Sequence, residues 1–248
     1  MTFDDLIEAV QHAAAALTMS APDVSSGKGK AFEAWALLVV GRHLSDMHLA
    51  IGAVGCDGRP VDTFIVRGGP GGMPRATDDP TRTPSHLMIV DAEFGYEREL
   101  HLGLRHRSTH GSTHELDLCA LPLSAAQGCR DDGGGPYQGP LLMAAELKAY
   151  DAEHKLSLVF GRALLGVMVD LQPWRTIHRI YLDLGQRCLP AWSPLGRRTP
   201  MHIVTTTGVY ENTRSLMREH GGSVVENLVP KTGTEWRRLR QLAEDVLV

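Results

Sequence analysis

The feature that most narrows the possible folds is a change of hydrophobic period along the chain. Between residues 48 and 149 the apolar residues come in short runs: 48–54 (HLAIGAV), 62–67 (DTFIVR), 86–91 (HLMIVD), 98–106, 114–121 (HELDLCAL) and 141–149 (LLMAAELKA). Runs of this length, broken by Gly- and Pro-rich stretches such as 67–84 and 128–139, predict strands and loops. Outside this region the period lengthens to three and four residues. Phe3, Leu6, Ile7, Val10, Ala14 and Leu17 make one stripe of a helix over 3–18, with Asp4 and Asp5 at its positive end. After the small, flexible stretch SSGKGK at 25–30, a more apolar helix is expected over 31–44. Leu156, Val159, Phe160, Ala163, Leu164, Val167 and Leu171 mark another over 154–171. Strands at 177–184 and 201–207 then alternate with helices near 211–220 and 234–247. This order predicts an α/β fold, with a mixed central sheet flanked by helices on both faces.

A chain of 248 residues suits one core. We expect a single domain over 1–248, its core at about 30–210 and its terminal helices packed on that core. Hydrophobic residues at 43% and charged residues at 22% are ordinary for a globular protein and disfavour disorder or coiled coil. The net charge of -4 means that any grip on nucleic acid must come from a local basic face. Cys56, Cys119, Cys129 and Cys188 form no C-x-x-C pair, which argues against a zinc ribbon or redox dithiol. The acidic N-terminus and the lack of a long apolar run lead to the expectation of a cytoplasmic protein.

Three acids and a lysine carry the chemistry. In Ala145-Glu146-Leu147-Lys148, strand geometry sends Glu146 and Lys148 to one face. In the run at 114–121, Leu116, Leu118 and Ala120 are expected on one face and Glu115, Asp117 and Cys119 on the other. If these two strands pair as antiparallel neighbours, Asp117 and Glu146 come within reach of one cation. Glu33 is the only ionisable residue between Ala31 and Val40, and its neighbours Leu37, Val40 and Leu44 put it on an inward stripe, where a charge needs a partner. Glu115 could be a fourth ligand but could equally face solvent or hold a basic group, and it stays outside this set. Carboxylates to fix a divalent cation, with a lysine to offset developing negative charge, are what phosphodiester hydrolysis requires.

The order of a helix bearing a glutamate, a strand bearing an aspartate, an E-x-K strand and an amphipathic helix resembles the PD-(D/E)xK nuclease superfamily over roughly residues 30–185. Leu116 stands where many members carry proline. The resemblance implies a restriction-endonuclease-like core. It makes Asp117, Glu146 and the Leu147 carbonyl ligands of Mg²⁺ or Mn²⁺, with Lys148 positioning water and Glu33 assisting through water or a second metal. It further implies an endonuclease acting on DNA in bacterial defence, restriction or repair, as a homodimer or with a partner protein. The alternative is a catalytically silent nuclease-like domain that binds nucleic acid or a protein.

Other motifs point elsewhere. His106, His110 and His114 would line up on a helix and could bind zinc, but the Ser, Thr and Gly between them favour a polar hairpin. SSGKGK and RGGPGG lack the G-x4-G-K-[ST] spacing of a phosphate loop and read as connections. Arg105, Arg107, Arg197, Arg198, Arg237, Arg238 and Arg240 supply local positive charge for phosphates or for a solvated face.

Overall fold

The computed structural model describes residues 2–151, 153–172, 199–230 and 234–247. Its centre is a seven-stranded sheet in chain order: β1 (Ala50–Val54), β2 (His86–Asp91), β3 (Tyr96–Arg107), β4 (Thr113–Pro122), β5 (Met143–Lys148), β6 (Met201–Thr205) and β7 (Ser223–Val225). The first five strands form an antiparallel meander. The last two run parallel to β5, so the sheet is mixed and the chain is α/β, as its order predicts.

Helices cover both faces. On one side lie α1 (Phe3–Ala16), α2 (Lys28–Asp46) and the C-terminal α7 (Arg240–Val246), which share a core with Leu100, Leu102, Leu118, Ala120, Ala145 and Leu147. On the other lie α3 (Leu123–Asp131), α4 (Leu158–Leu171) and α5 (Glu211–Glu219), packed on Leu104, Leu116, Cys119, Ala144 and Ile203. A sheet buried on both faces explains why its inner strands read as near-continuous apolar runs.

Local chemistry sets the helix ends. Thr2 and Asp5 form a capping box at α1: the Asp5 N–H donates to Thr2 Oγ1 at 3.1 Å, and the Thr2 N–H donates to Asp5 Oδ2 at 2.7 Å. Helix α2 starts at Lys28, so half of the expected 25–30 connection belongs to the helix; Gly27, with φ +139, makes the turn into it.

Several other expectations change. Residues 62–67 form no strand, because the Ile65 N–H is taken by the Ser85 hydroxyl at 3.0 Å and not by a ladder partner. The 128–139 loop begins inside α3, and helix α4 starts at Leu158 because Leu156 bridges to Val209. The expected 234–247 helix divides into α6 (Thr234–Arg237) and α7. Leu116 packs with Cys119 and Leu121, not with Leu118 and Ala120; beside it on β3, Gly103 adopts φ +56 between the register pairs Leu102–Leu118 and Leu104–Leu116. The expected strand at 177–184, with Arg197 and Arg198, lies outside the described residues.

Candidate active site

Strands β4 and β5 pair at Ala120–Met143, Cys119–Ala144 and Leu118–Ala145, and the ladder ends there. The next residue of β4 is Asp117. Its carboxylate replaces the missing backbone partner: Oδ2 accepts the Leu147 N–H at 2.8 Å and the Lys148 ammonium at 3.0 Å. Parallel pairing with β6 continues through Lys148–Thr205, so β5 stays rigid past the point where β4 leaves it. The result is a fork lined by acids.

Lys148 bridges the fork, with Nζ 2.7 Å from Glu146 Oε1 as well as 3.0 Å from Asp117. Burial alone would lower its pKa, but Asp117 and Glu146 together push it up. Helix α2 supplies Glu33, which is 8% exposed and paired with Lys30 one turn earlier at 2.7 Å. Burial outweighs that ion pair and, with Asp117 and Glu115 adding repulsion, raises the Glu33 pKa to about 7. Burial and then Asp117 also raise the pKa of Glu146 and of half-buried Glu115. Three carboxyl groups resist ionisation here, although two lysines attend them. Such a site favours more positive charge than the chain provides.

The structure thus brings Glu33, Asp117, Glu146 and Lys148 into one electrostatic unit and adds Glu115. It does not gather the acids around a single point. Among the described residues, the one group of three whose ligating atoms all lie within 4.8 Å of one another is His86, Glu99 and His101. At the fork the central position belongs to the Lys148 ammonium.

That second cluster was missed in the sequence. Its signal is Glu99-x-His101, two polar residues at alternate positions of a strand whose neighbours Leu100 and Leu102 are core. Glu99 is fully buried and receives both Arg130 Nη groups, at 2.8 and 2.5 Å, and His101 Nε2 at 2.7 Å, with His86 Nε2 at 3.3 Å. Burial opposes ionisation of Glu99, but its bonds to His101 and His86 overcome it and hold the pKa below the carboxylate range. The two imidazoles stack at 4.6 Å, and burial followed by repulsion from His86 brings the His101 pKa down to about 4. With a guanidinium already on the carboxylate, this cluster is a self-contained link between α3 and the sheet.

The His106, His110 and His114 string falls on the β3–β4 hairpin, as the residues between them favour. His106 lies opposite His114 in the β3–β4 register; it is buried, with its pKa lowered to about 3 by burial, while His110 is exposed and His114 bonds to Asp170 on α4. They do not form a ligand group. Of the basic residues, Arg238 caps the Glu226 carbonyl at 2.5 Å and Arg240 pairs with Glu244 at 3.0 Å, whereas Arg105 and Arg107 are exposed on β3. No family model, curated protein or solved structure matches this chain.

Proposed function

We propose that this chain is a divalent-metal-dependent endonuclease of the PD-(D/E)xK type, with a restriction-endonuclease-like core and DNA as substrate. The observation that carries this reading is the fork itself: Asp117 and Glu146 on diverging strands, Lys148 between them, and Glu33 close enough that Asp117 raises its pKa. Carboxylate oxygens and a backbone carbonyl form a hard donor set, which suits Mg²⁺ or Mn²⁺ better than zinc.

Asp117, Glu146 and the Leu147 carbonyl are the residues that would hold the ion, with Glu33 assisting. The chemistry such a cation would supply is polarisation of the phosphate and a lowered pKa for an attacking water. The Leu147 N–H fixes the orientation of Asp117. Lys148 moves from neutralising its own acids to offsetting the negative charge that develops on phosphorus. Glu33, with a pKa of about 7, is poised to hold or accept a proton near neutral pH. A cytoplasmic role in defence, restriction or repair, as a homodimer or with a partner protein, belongs to the same proposal.

The second reading is a catalytically silent nuclease-like domain that binds nucleic acid or a protein. It is favoured by one observation, that Lys148 already satisfies both Asp117 and Glu146. Incubating the protein with labelled duplex DNA, single-stranded DNA and RNA, in Mg²⁺, Mn²⁺ or EDTA, separates the two. Metal-dependent fragments that disappear in Asp117→Ala support the nuclease. A gel shift without fragments, under every condition, supports the silent domain.

A further inference from the structure

The stretch Arg67-Gly-Gly-Pro-Gly-Gly72 folds back over its own arginine. Gly71 lies beside β3: its N–H donates to the Gly103 carbonyl at 3.2 Å, and its carbonyl accepts the Arg105 N–H at 2.8 Å. The Arg67 side chain runs over both glycines. A Cβ on Gly71 would lie 2.1 Å from Arg67 Nη1, and a Cβ on Gly103 would lie 3.2 Å from Arg67 Cδ. The same Cβ on Gly103 would stand 3.4 Å from Glu115 Oε1, so Arg67 and Glu115 share the space above that glycine. Two glycines therefore clear a groove for one arginine at the edge of the acidic site.

Glu115 lies near the arginine but makes no hydrogen bond with it. The Arg67 Nε is buried without a hydrogen-bond partner, and among the described residues the guanidinium makes no ion pair. The lysines of the site are engaged: Lys30 with Glu33, and Lys148 with Asp117 and Glu146. Exposed Arg105 adds a second guanidinium nearby; burial lowers the Arg67 pKa, Cys119 and Glu115 offset part of that, and Arg105 adds to it. A half-buried guanidinium beside another cation is costly unless an anion completes its hydrogen bonds. The loop beyond the arginine is uncrowded: a Cβ on Gly68 or Gly69 would meet nothing within 4 Å.

We propose that Arg67, with Arg105 beside it, grips a backbone phosphate of the nucleic-acid strand next to the scissile bond. This assignment rests on the nuclease reading above. The planar fork of a guanidinium matches two phosphate oxygens at once, whereas a lysine offers a point charge. A contact of this kind positions the strand and carries no sequence information.

The test is fluorescence anisotropy of labelled duplex and single-stranded DNA over a salt series, in EDTA and in Ca²⁺, with wild type, Arg67→Gln and Arg67→Lys. Circular dichroism and melting of each variant check the fold, and cleavage by wild type in Mg²⁺ is run in parallel. Arg67→Gln is expected to bind about 10-fold more weakly on every sequence, with the slope of log affinity against log salt reduced by about one. Arg67→Lys should restore the slope and recover part of the affinity. If Arg67→Gln matches wild type in affinity and slope while wild type cleaves, the phosphate assignment is overturned and the nuclease reading stands. If wild type neither binds nor cuts any nucleic acid, the nuclease reading fails and takes the assignment with it.

Discussion

Lys148 and Asp117 meet across the point where β4 and β5 part, with Nζ 3.0 Å from Oδ2, and the same ammonium lies 2.7 Å from Glu146. The lysine thus stands where a cation bound by both acids would sit. On the nuclease reading proposed above, Lys148→Ala removes that rival charge together with the group that would offset charge on phosphorus. It is expected to lose cleavage by roughly 100-fold or more while binding Mn²⁺ more tightly than wild type. Titration calorimetry with Mn²⁺, beside a cleavage assay, measures both; weaker Mn²⁺ binding in the variant would contradict the arrangement.

Glu33 gives the protein a pH dependence. Its folded pKa of about 7 lies above the ordinary 4.5, so the folded chain binds this proton more tightly than the unfolded chain. The associated stability is fully present below about 4.5 and is lost as pH rises through about 7. Glu33→Gln, which cannot ionise, is expected to gain on wild type by roughly 1–3 kcal/mol between pH 5 and pH 8. Urea denaturation at the two pH values tests this, and a constant difference would show that Glu33 ionises freely. Mg²⁺ should likewise stabilise wild type more at pH 8 than at pH 5, because the ion competes with that proton.

The Glu99 and Arg130 pair ties α3 to the sheet. Arg130→Met leaves a buried carboxylate with two imidazoles and no guanidinium, at an expected cost of about 3–5 kcal/mol. Adding Glu99→Gln to it should recover part of the loss, since the charge that needed neutralising has gone. Zinc and EDTA should both leave the wild-type melting temperature unchanged. Marked stabilisation by zinc would instead make His86, Glu99 and His101 a metal site.

Much of this was legible in the chain because period reports burial. Phe3, Leu6 and Val10 announce α1, and the E-x-K spacing places Glu146 and Lys148 on one side of β5 whatever the sheet around them. Glu33 was legible as an isolated charge in an apolar helix. What escaped depends on partners distant in sequence. Glu99 looks like any polar strand residue until Arg130 arrives from α3, and Ile65 looks like strand until Ser85 claims its N–H. The side switch at Leu116 hinges on the backbone of Gly103, a residue of another strand. Alternation within β4 carries no trace of it.

Gly72 offers a test of how the Arg67 loop is held. A Cβ there would lie 2.4 Å from the Gly135 carbonyl carbon and 2.7 Å from its Cα, so the obstacle is backbone and cannot swing aside. The two loops are also tied by reciprocal bonds, Met73 N–H to the Gly135 carbonyl at 2.6 Å and Gly135 N–H to the Met73 carbonyl at 2.8 Å. Gly72→Ala must therefore break the crossing or push the 67–72 loop outward. A loss of about 1–3 kcal/mol in urea denaturation is expected, as for overpacking at a site unable to yield. Because Gly71 is the next residue, the shift should also disturb the groove that holds Arg67. DNA affinity should then fall in Gly72→Ala even under conditions where the variant is fully folded, while Mn²⁺ binding at the fork stays at the wild-type value. Loss of both together would mean that the loop supports the acidic site itself and not the arginine alone.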